Sequence, residues 1–151
     1  MTLRLRIATA ADLPAIIAII QDDTLGRARE TDDPAPYAAA FARIEASPND
    51  TLFVAIDDAD VIVGCFELSA IPGLSRQGMT RGQIESVRIR TDRRGRGYGA
   101  AMMALAEAEA RRRGCGLMQL STSVDRVDAH RFYERLGYAA THKGMKKLLS
   151  G

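Results

Sequence analysis

The sequence lacks most features that place a protein outside a reducing compartment or in a membrane. It has two cysteines, Cys65 and Cys115, in no disulfide or metal-binding pattern, so we expect buried free thiols. No apolar run approaches the roughly 20 residues of a membrane span. No basic segment followed by an apolar block begins the chain. These absences predict a cytoplasmic protein with no membrane partner and no metal site.

A strong net charge is also missing. The formal net charge is +2, which is too small for a general nucleic-acid binder, so nucleic acid is not an expected partner. At 151 residues the chain is expected to form a single domain over residues 1–151. The charge is uneven, because five arginines fall between Arg88 and Arg96. That cluster predicts an anionic ligand nearby.

Strand-like and helix-like patterns alternate along the chain. The first strand is predicted at 3–7, and the apolar stripe of the first helix is Leu13, Ile16, Ile17 and Ile20. Further helices are predicted at 36–46, 100–113 and 129–136, and further strands at 52–56, 61–71, 83–90, 117–123, 138–141 and 145–149. The order β-α-α-β-β-β-α-β-α-β-β predicts an α/β (α+β) fold with about four helices around one mixed central sheet.

One stretch, residues 83–100, has the features of an anion site. A strand-like segment leads into Gly95, Gly97 and Gly99, and a helix follows at once. Glycine lets the backbone approach a ligand closely, and the first turn of a helix presents unpaired N–H groups at the positive end of its dipole. The neighbouring arginine side chains add positive charge. The stretch therefore predicts a turn that binds phosphate.

Two other nucleotide-binding motifs share part of this pattern. Gly95-x-Gly97-x-x-Ala100 fits the dinucleotide fingerprint, which requires an acidic residue about 20 positions later to bind ribose. Residues 114–123 contain no acidic residue. A P-loop requires Gly-Lys-Ser/Thr, which the sequence lacks. Both alternatives are therefore disfavoured.

Two motifs together resemble the GNAT superfamily of acetyl-CoA-dependent N-acetyltransferases. One is Arg94-Gly-Arg-Gly-Tyr-Gly99, which fits the pattern Arg/Gln-x-x-Gly-x-Gly/Ala. The other is Ala129-His-Arg-Phe-Tyr-Glu-Arg-Leu-Gly-Tyr138, similar to Ala-x-x-x-Tyr-x-x-x-Gly-Phe near the end of such domains. The resemblance implies a mostly antiparallel mixed sheet. It also implies that an acetyl group moves directly from acetyl-CoA to a primary amine in a ternary complex.

The resemblance also implies which residues bind the co-substrate acetyl-CoA. The backbone of the glycine turn is expected to hold the pyrophosphate, and the preceding strand is expected to pair with the pantetheine arm. Arg126 stands where family members often have asparagine, so it is expected either to reach a CoA phosphate or to face solvent. The expected cofactor-binding residues are Val87, Arg88, Ile89, Arg94, Gly95, Arg96, Gly97, Tyr98, Gly99, Ala100 and Arg126.

Two residues are candidates for proton transfer. Glu85 lies two residues before Val87, where many family members carry an acid, and is the candidate base that deprotonates the amine. Its alternative role is that of a solvated carboxylate on the sheet or of a charge that only binds the substrate. Tyr133 is the candidate acid that protonates the departing thiolate, because a phenol is protonated at neutral pH. Its alternative role is packing beside Phe132.

The acceptor is not specified by the sequence. Acidic residues between 22 and 33 lie in or after the first helix, often the substrate wall in this family, and are expected either to attract a cationic amine or to form a solvated helix end and loop. Small-molecule and peptide amines both stay open as acceptors, as does a homodimer. A catalytically degenerate CoA-binding sensor is the alternative to an enzyme. The presence of both Glu85 and Tyr133 favours the enzyme.

Overall fold

The computed structural model describes residues 2–150, which cluster into two compact units that divide after Gln119. The strands are β1 (Arg4–Ile7), β2 (Asp50–Ile56), β3 (Ile62–Ile71), β4 (Thr80–Ile89) and β5 (Cys115–Gln119). The helices are α1 (Leu13–Gln21), α2 (Ala35–Ala46), α3 (Tyr98–Arg112) and α4 (Val127–Arg135). The predicted α/β class and element order are confirmed from β1 through α4, while the single domain over 1–151 stays a prediction.

The five strands form one sheet in the order β1-β2-β3-β4-β5. Neighbours are antiparallel except β4 and β5, which run parallel, so the sheet is mixed and mostly antiparallel as expected. The pairing of β4 with β5 covers only Thr80–Gln83 of β4, whereas β4 pairs with β3 as far as Ile89. In the described part of the chain, the second half of β4 therefore has one side outside the sheet ladder.

Helices α1 and α2 cover one face of the sheet. The buried residues of this cluster are Ala8, Ile16, Ile19, Phe41, Leu52, Val54, Ile56 and Cys65. Burial raises the pKa of the Cys65 thiol to about 12, so this free thiol stays protonated at neutral pH. The predicted α1 stripe was wrong at one position, because Ile19 is buried while Ile17 is only half-buried. The helix is apolar nearly all round, so tertiary packing selects which stripe faces the sheet.

Helix α3 covers the opposite face and lies close to it. Its buried residues are Met102, Met103, Ala106 and Ala110, and the rings of Phe53 and Phe66 stack beneath with centroids 5.1 Å apart. A Cβ atom at Gly64 would lie 2.7 Å from the Arg88 carbonyl oxygen and 3.0 Å from the Met102 sulfur. Only glycine fits this contact. The close packing fixes α3, and with it the turn that enters the helix from β4.

Asp12 ties β1 to the start of α1. The Arg6 guanidinium donates two hydrogen bonds to its carboxylate, at 2.8 and 3.0 Å. The Thr9 backbone N–H donates a third at 2.7 Å, within a capping box formed by Thr9 and Asp12. The hydrogen bonds from Arg6, with smaller contributions from Thr9, lower the pKa of Asp12 to about 2. The ionised carboxylate is therefore favoured by folding.

Because the folded-state pKa of Asp12 lies below its unfolded value, its contribution to stability is present above about pH 4. It should be lost as the pH falls towards 2. At pH 7 we expect Asp12→Asn to lower the free energy of unfolding by about 1–2 kcal/mol, allowing for the partly exposed Arg6. Urea denaturation at several pH values measures this difference in the free energy of unfolding. Asp125→Asn, at an exposed position, is the control. A difference from wild type that stays constant down to pH 2 would contradict this account.

The end of the chain differs from the prediction. Strands were expected at 138–141 and 145–149, but residues 138–150 have no regular secondary structure. The side chains of Met145, Leu148 and Leu149 are 91–92% exposed. Without apolar burial, nothing offsets the entropy cost of ordering these segments as strands.

Two other element boundaries also differ. The loop expected at 72–82 is shorter because β4 begins at Thr80, and Arg76 and Gln77 form a left-handed turn there with φ of 56° and 60°. Strand β5 ends at Gln119 instead of residue 123. Among the described residues, no helix has both the length and the apolar character to cross a membrane.

Candidate active site

The turn between β4 and α3 has the backbone geometry predicted for an anion site. Gly95 and Gly97 have left-handed φ values of 71° and 82°, where a side chain is strained. Gly97 is the N-cap of α3, and the helical hydrogen bonds begin with the Ala101 N–H to the Gly97 carbonyl. The N–H groups of Tyr98, Gly99 and Ala100 therefore precede the first helical bond. The turn is solvent-exposed from Arg94 to Gly97.

A short 3₁₀ helix, Thr91–Arg93, connects the second half of β4 to this turn. Arg94 donates from Nε to the Ile89 carbonyl at 3.1 Å, which joins the turn to the end of the strand. Arg88 donates from Nη1 to the Val87 carbonyl at 2.9 Å. The predicted cofactor residues of the first unit, from Val87 to Ala100, thus form one continuous strand and turn. The side chain of Arg96 is exposed beside them.

A pocket of about 230 Å³ lies between β3, β4 and the segment that joins α1 to α2. The sheet contributes Glu67, Ser86 and Arg88, and the α1–α2 side contributes Ile20, Asp23, Gly26, Arg29, Glu30 and Tyr37. Of the acidic stretch at 22–33, Asp23 and Glu30 reach the pocket. Sequence reasoning missed Glu67. Its signal was available, since Glu67 is the only charged residue in β3.

Both signs of charge line this pocket. Arg88, predicted to bind cofactor, directs its guanidinium to the buried Asp23, with 3.0 Å between Nη2 and Oδ2. The Nε atom of Arg88 is buried without a hydrogen-bond partner. Arg29 and Glu30 add a second cation and a second carboxylate on the α1–α2 side. Such a wall suits a ligand that carries both an amine and an anion.

A β-bulge in β4 shapes the sheet side of the pocket. Cys65 pairs with Arg88 and Glu67 pairs with Glu85, so two residues of β4 oppose the single Phe66 of β3. Ser86, within the bulge, has φ of 52°. A serine in the left-handed region costs roughly 1–3 kcal/mol and is typical of functional sites. The bulge brings Ser86 and Arg88 to the same pocket as Glu67, while Glu85 is exposed and outside the lining.

Glu67 has an environment that favours its protonated form. Burial raises the pKa of Glu67 above its ordinary value, and the negative charges of Glu85 and Asp50 raise it further. A hydrogen bond from Ser86 acts in the opposite direction. A carboxylate with a raised pKa is a better proton acceptor near neutral pH than an ordinary glutamate.

The remaining predicted residues lie in the second unit. Tyr133 is on α4, and its ring contacts those of Phe132 and Tyr138, with centroids 5.1 and 5.8 Å away. The ring therefore makes the packing contacts that were the alternative to a catalytic role. The catalytic role of Tyr133 stays a prediction. Arg126 precedes α4, and its backbone N–H donates to the Ser123 carbonyl at 3.0 Å. The role of its side chain also stays a prediction.

The chain is similar to acetyltransferases over most of its length. Residues 13–138 match the acetyltransferase (GNAT) family model. The solved structure of a transcriptional regulator from Bacillus halodurans C-125 has a TM-score of 0.92 and 39% identity, covering 98% of this chain and 100% of that chain. A candidate acetyltransferase from Agrobacterium tumefaciens strain C58 has a TM-score of 0.83 and 30% identity, covering 96% and 99%.

A curated relative adds a similarity over a shorter stretch. The aminoalkylphosphonate N-acetyltransferase of Salmonella typhimurium strain LT2 is 43% identical over 68 residues. The match spans 45% of this chain and 44% of the relative, less than half of either protein.

Proposed function

The chain belongs to the acetyltransferase (GNAT) family, and we propose that it transfers the acetyl group of acetyl-CoA directly to the primary amine of a small molecule. The observation that carries this proposal is the continuity of the second half of β4 with the left-handed glycine turn that opens α3. A strand side outside the ladder suits the amide groups of a pantetheine arm. A helix start with unpaired N–H groups suits a pyrophosphate.

The residues along this strand and turn fit acetyl-CoA, which supplies an acetyl group activated as a thioester. Gly95 and Gly97 keep the turn open, and a Cβ atom at Gly95 would meet no atom within 4 Å. Arg94 and Arg96 place positive charge beside the turn. In this proposal the backbone of Val87 and Ile89 aligns the pantetheine arm, and the side chain of Arg126 reaches a CoA phosphate.

The proposed chemistry needs one group that accepts a proton and one that donates one. Most primary amines are protonated at pH 7, so a carboxylate of the Glu67–Glu85 pair first removes a proton from the ammonium group. The neutral nitrogen then attacks the thioester carbonyl. We assign Tyr133 to protonate the departing sulfur. No covalent acetyl-enzyme is required in this proposal, because the neutral amine attacks the thioester directly. Of the two free cysteines, Cys65 is buried with a protonated thiol, and Cys115 has no histidine near it in sequence to activate it.

Among small amines, we propose aminoalkylphosphonates as the acceptor class to test first. The acetyltransferase of Salmonella typhimurium named above supports this choice, as does the pocket itself. In the pocket, Glu67 and Glu30 suit the ammonium group, and Arg29 and Arg88 suit the phosphonate.

We expect 2-aminoethylphosphonate to be acetylated with a kcat/KM at least about tenfold above that of n-propylamine, which lacks the anion. The assay follows the release of the CoA thiol from acetyl-CoA. A peptide with a free N-terminus tests the peptide alternative. Equal rates for the two small amines would refute the acceptor class, while no turnover with any amine, despite acetyl-CoA binding, would favour a CoA-binding sensor.

A further inference from the structure

We propose that Glu67 is the carboxylate that takes the proton from the acceptor amine, an assignment that rests on the proposed acetyl transfer. The sequence alone pointed to Glu85, two residues before Val87. The structure places both carboxylates on paired residues of β3 and β4, and only Glu67 lines the pocket. A base must lie within hydrogen-bond reach of the proton that it removes, so its position in the pocket comes first.

Packing alone does not explain why a carboxylate occupies the half-buried position 67 of β3. The nearest residues on the same face of the sheet are Cys65, two positions earlier in β3, and Leu52, the β2 partner of Glu67, which are 0% and 8% exposed. A carboxylate among such residues pays a desolvation cost that an apolar side chain would avoid. The strained Ser86 lies beside it in the same pocket lining. Two costly features at one place on the sheet indicate a site held for function.

The charges around Glu67 favour proton uptake. The charged groups that surround it from the neighbouring elements are Asp50 on β2, Glu85 and Arg88 on β4, and Asp23, Arg29 and Glu30 on the segment after α1. Arg88 lies 3.0 Å from Asp23, whose opposite charge offsets part of the effect of Arg88 on Glu67. The exposed Glu85 opposes Glu67 across the strand pair, where two like charges disfavour the ionisation of the more buried one.

Glu67 takes one proton from the substrate ammonium group, and Tyr133 gives one to the departing sulfur. An N–H bond of the substrate ammonium breaks, its proton forms an O–H bond with the Glu67 carboxylate, and the electron pair stays on nitrogen. That pair then forms the C–N bond with the acetyl carbon, and the C–S bond breaks with its electrons on sulfur. Sulfur takes its proton from Tyr133, one of the two protons left on nitrogen returns to Tyr133 through solvent, and the other stays on the amide. Glu67 releases its proton to solvent after product leaves.

The test compares three glutamate-to-glutamine variants with wild type across a pH series, with the amine that is acetylated fastest in the acceptor assay as substrate. In the wild type we expect kcat to fall at low pH as the base becomes protonated, and this fall is the acidic limb of the pH profile. We expect Glu67→Gln to lower kcat by roughly 10²–10⁴-fold and to abolish the acidic limb, with acetyl-CoA affinity unchanged. Glu85→Gln should lower kcat by less than about tenfold and keep the limb. The limb should move to lower pH, since removing a nearby negative charge lowers the pKa of Glu67. The exposed Glu45→Gln is the control and should leave the profile unchanged.

The outcomes separate this proposal from the proposed function. If Glu67→Gln turns over at the wild-type rate and keeps the acidic limb, the assignment of Glu67 is overturned, while the proposed acetyltransferase activity is unaffected. Loss of the limb in Glu85→Gln alone assigns the step to Glu85. No wild-type turnover with any amine overturns both proposals. Should Glu67→Gln fail to fold, the acidic limb of Glu85→Gln still tests the assignment. A limb that does not move in Glu85→Gln would mean that Glu67 is not the group whose protonation causes it.

Discussion

Replacing Gly97 with valine is expected to abolish measurable binding of acetyl-CoA. Gly97 has φ of 82° and caps α3, a conformation that a β-branched residue rarely adopts. The substituted backbone should leave the left-handed region and turn its N–H groups away from the pyrophosphate. Losing two charge-assisted hydrogen bonds corresponds to about 3–6 kcal/mol, or roughly 10²–10⁴-fold in Kd. Isothermal titration calorimetry with acetyl-CoA measures the effect.

The matched control for this substitution is Gly73→Val. Gly73 lies outside the left-handed region, and a Cβ atom there would meet only the Met79 carbonyl oxygen at an ordinary 3.7 Å. Thermal unfolding separates lost binding from lost folding, because the strain at position 97 should cost about 1–2 kcal/mol of stability. Wild-type affinity in a folded Gly97→Val variant would contradict the assignment of the turn to phosphate.

Replacing Tyr133 with phenylalanine is expected to lower kcat by roughly 10²–10⁴-fold, because the sulfur would leave without a proton donor. The phenyl ring keeps the aromatic contacts with Phe132 and Tyr138, so the packing of α4 should survive. The KM values for both substrates should change little, since the hydroxyl group acts in the transition state and not in binding. Steady-state kinetics at saturating acetyl-CoA measure this split.

Tyr138→Phe is the control for Tyr133→Phe, because it removes a hydroxyl from the neighbouring ring of the same unit. We expect it to leave kcat near the wild-type value. Equal losses in the two variants would indicate that a hydroxyl in this aromatic cluster acts through structure. An unchanged kcat in Tyr133→Phe would remove Tyr133 from the mechanism and support its packing role.

The elements of this fold that depend on local pattern were predictable. The β4–turn–α3 segment could be predicted because it contains residue types with strong backbone preferences. The glycines at 95 and 97 permit the left-handed φ values that the turn adopts. The capping box of Thr9 and Asp12 is likewise a local contact over three residues. The prediction of two strands after α4 was wrong because it depended on contacts that the local pattern does not supply. Strand propensity at 138–149 is not accompanied by burial, and a strand is stable only where it packs.

The sequence by itself determined the family and the glycine turn before α3, and it contained the tyrosine and the glutamates that we propose for proton transfer. Only the tertiary structure decided which carboxylate belongs to the pocket. Glu85 fits a family position read along the chain, whereas Glu67 lines the pocket together with Ser86 and Arg88, which a register shift between β3 and β4 brings to the same side. A β-bulge changes which side chains share a face, and its position depends on pairing between distant segments. Desolvation also requires the assembled sheet, so the raised pKa of Glu67 is a property of the fold.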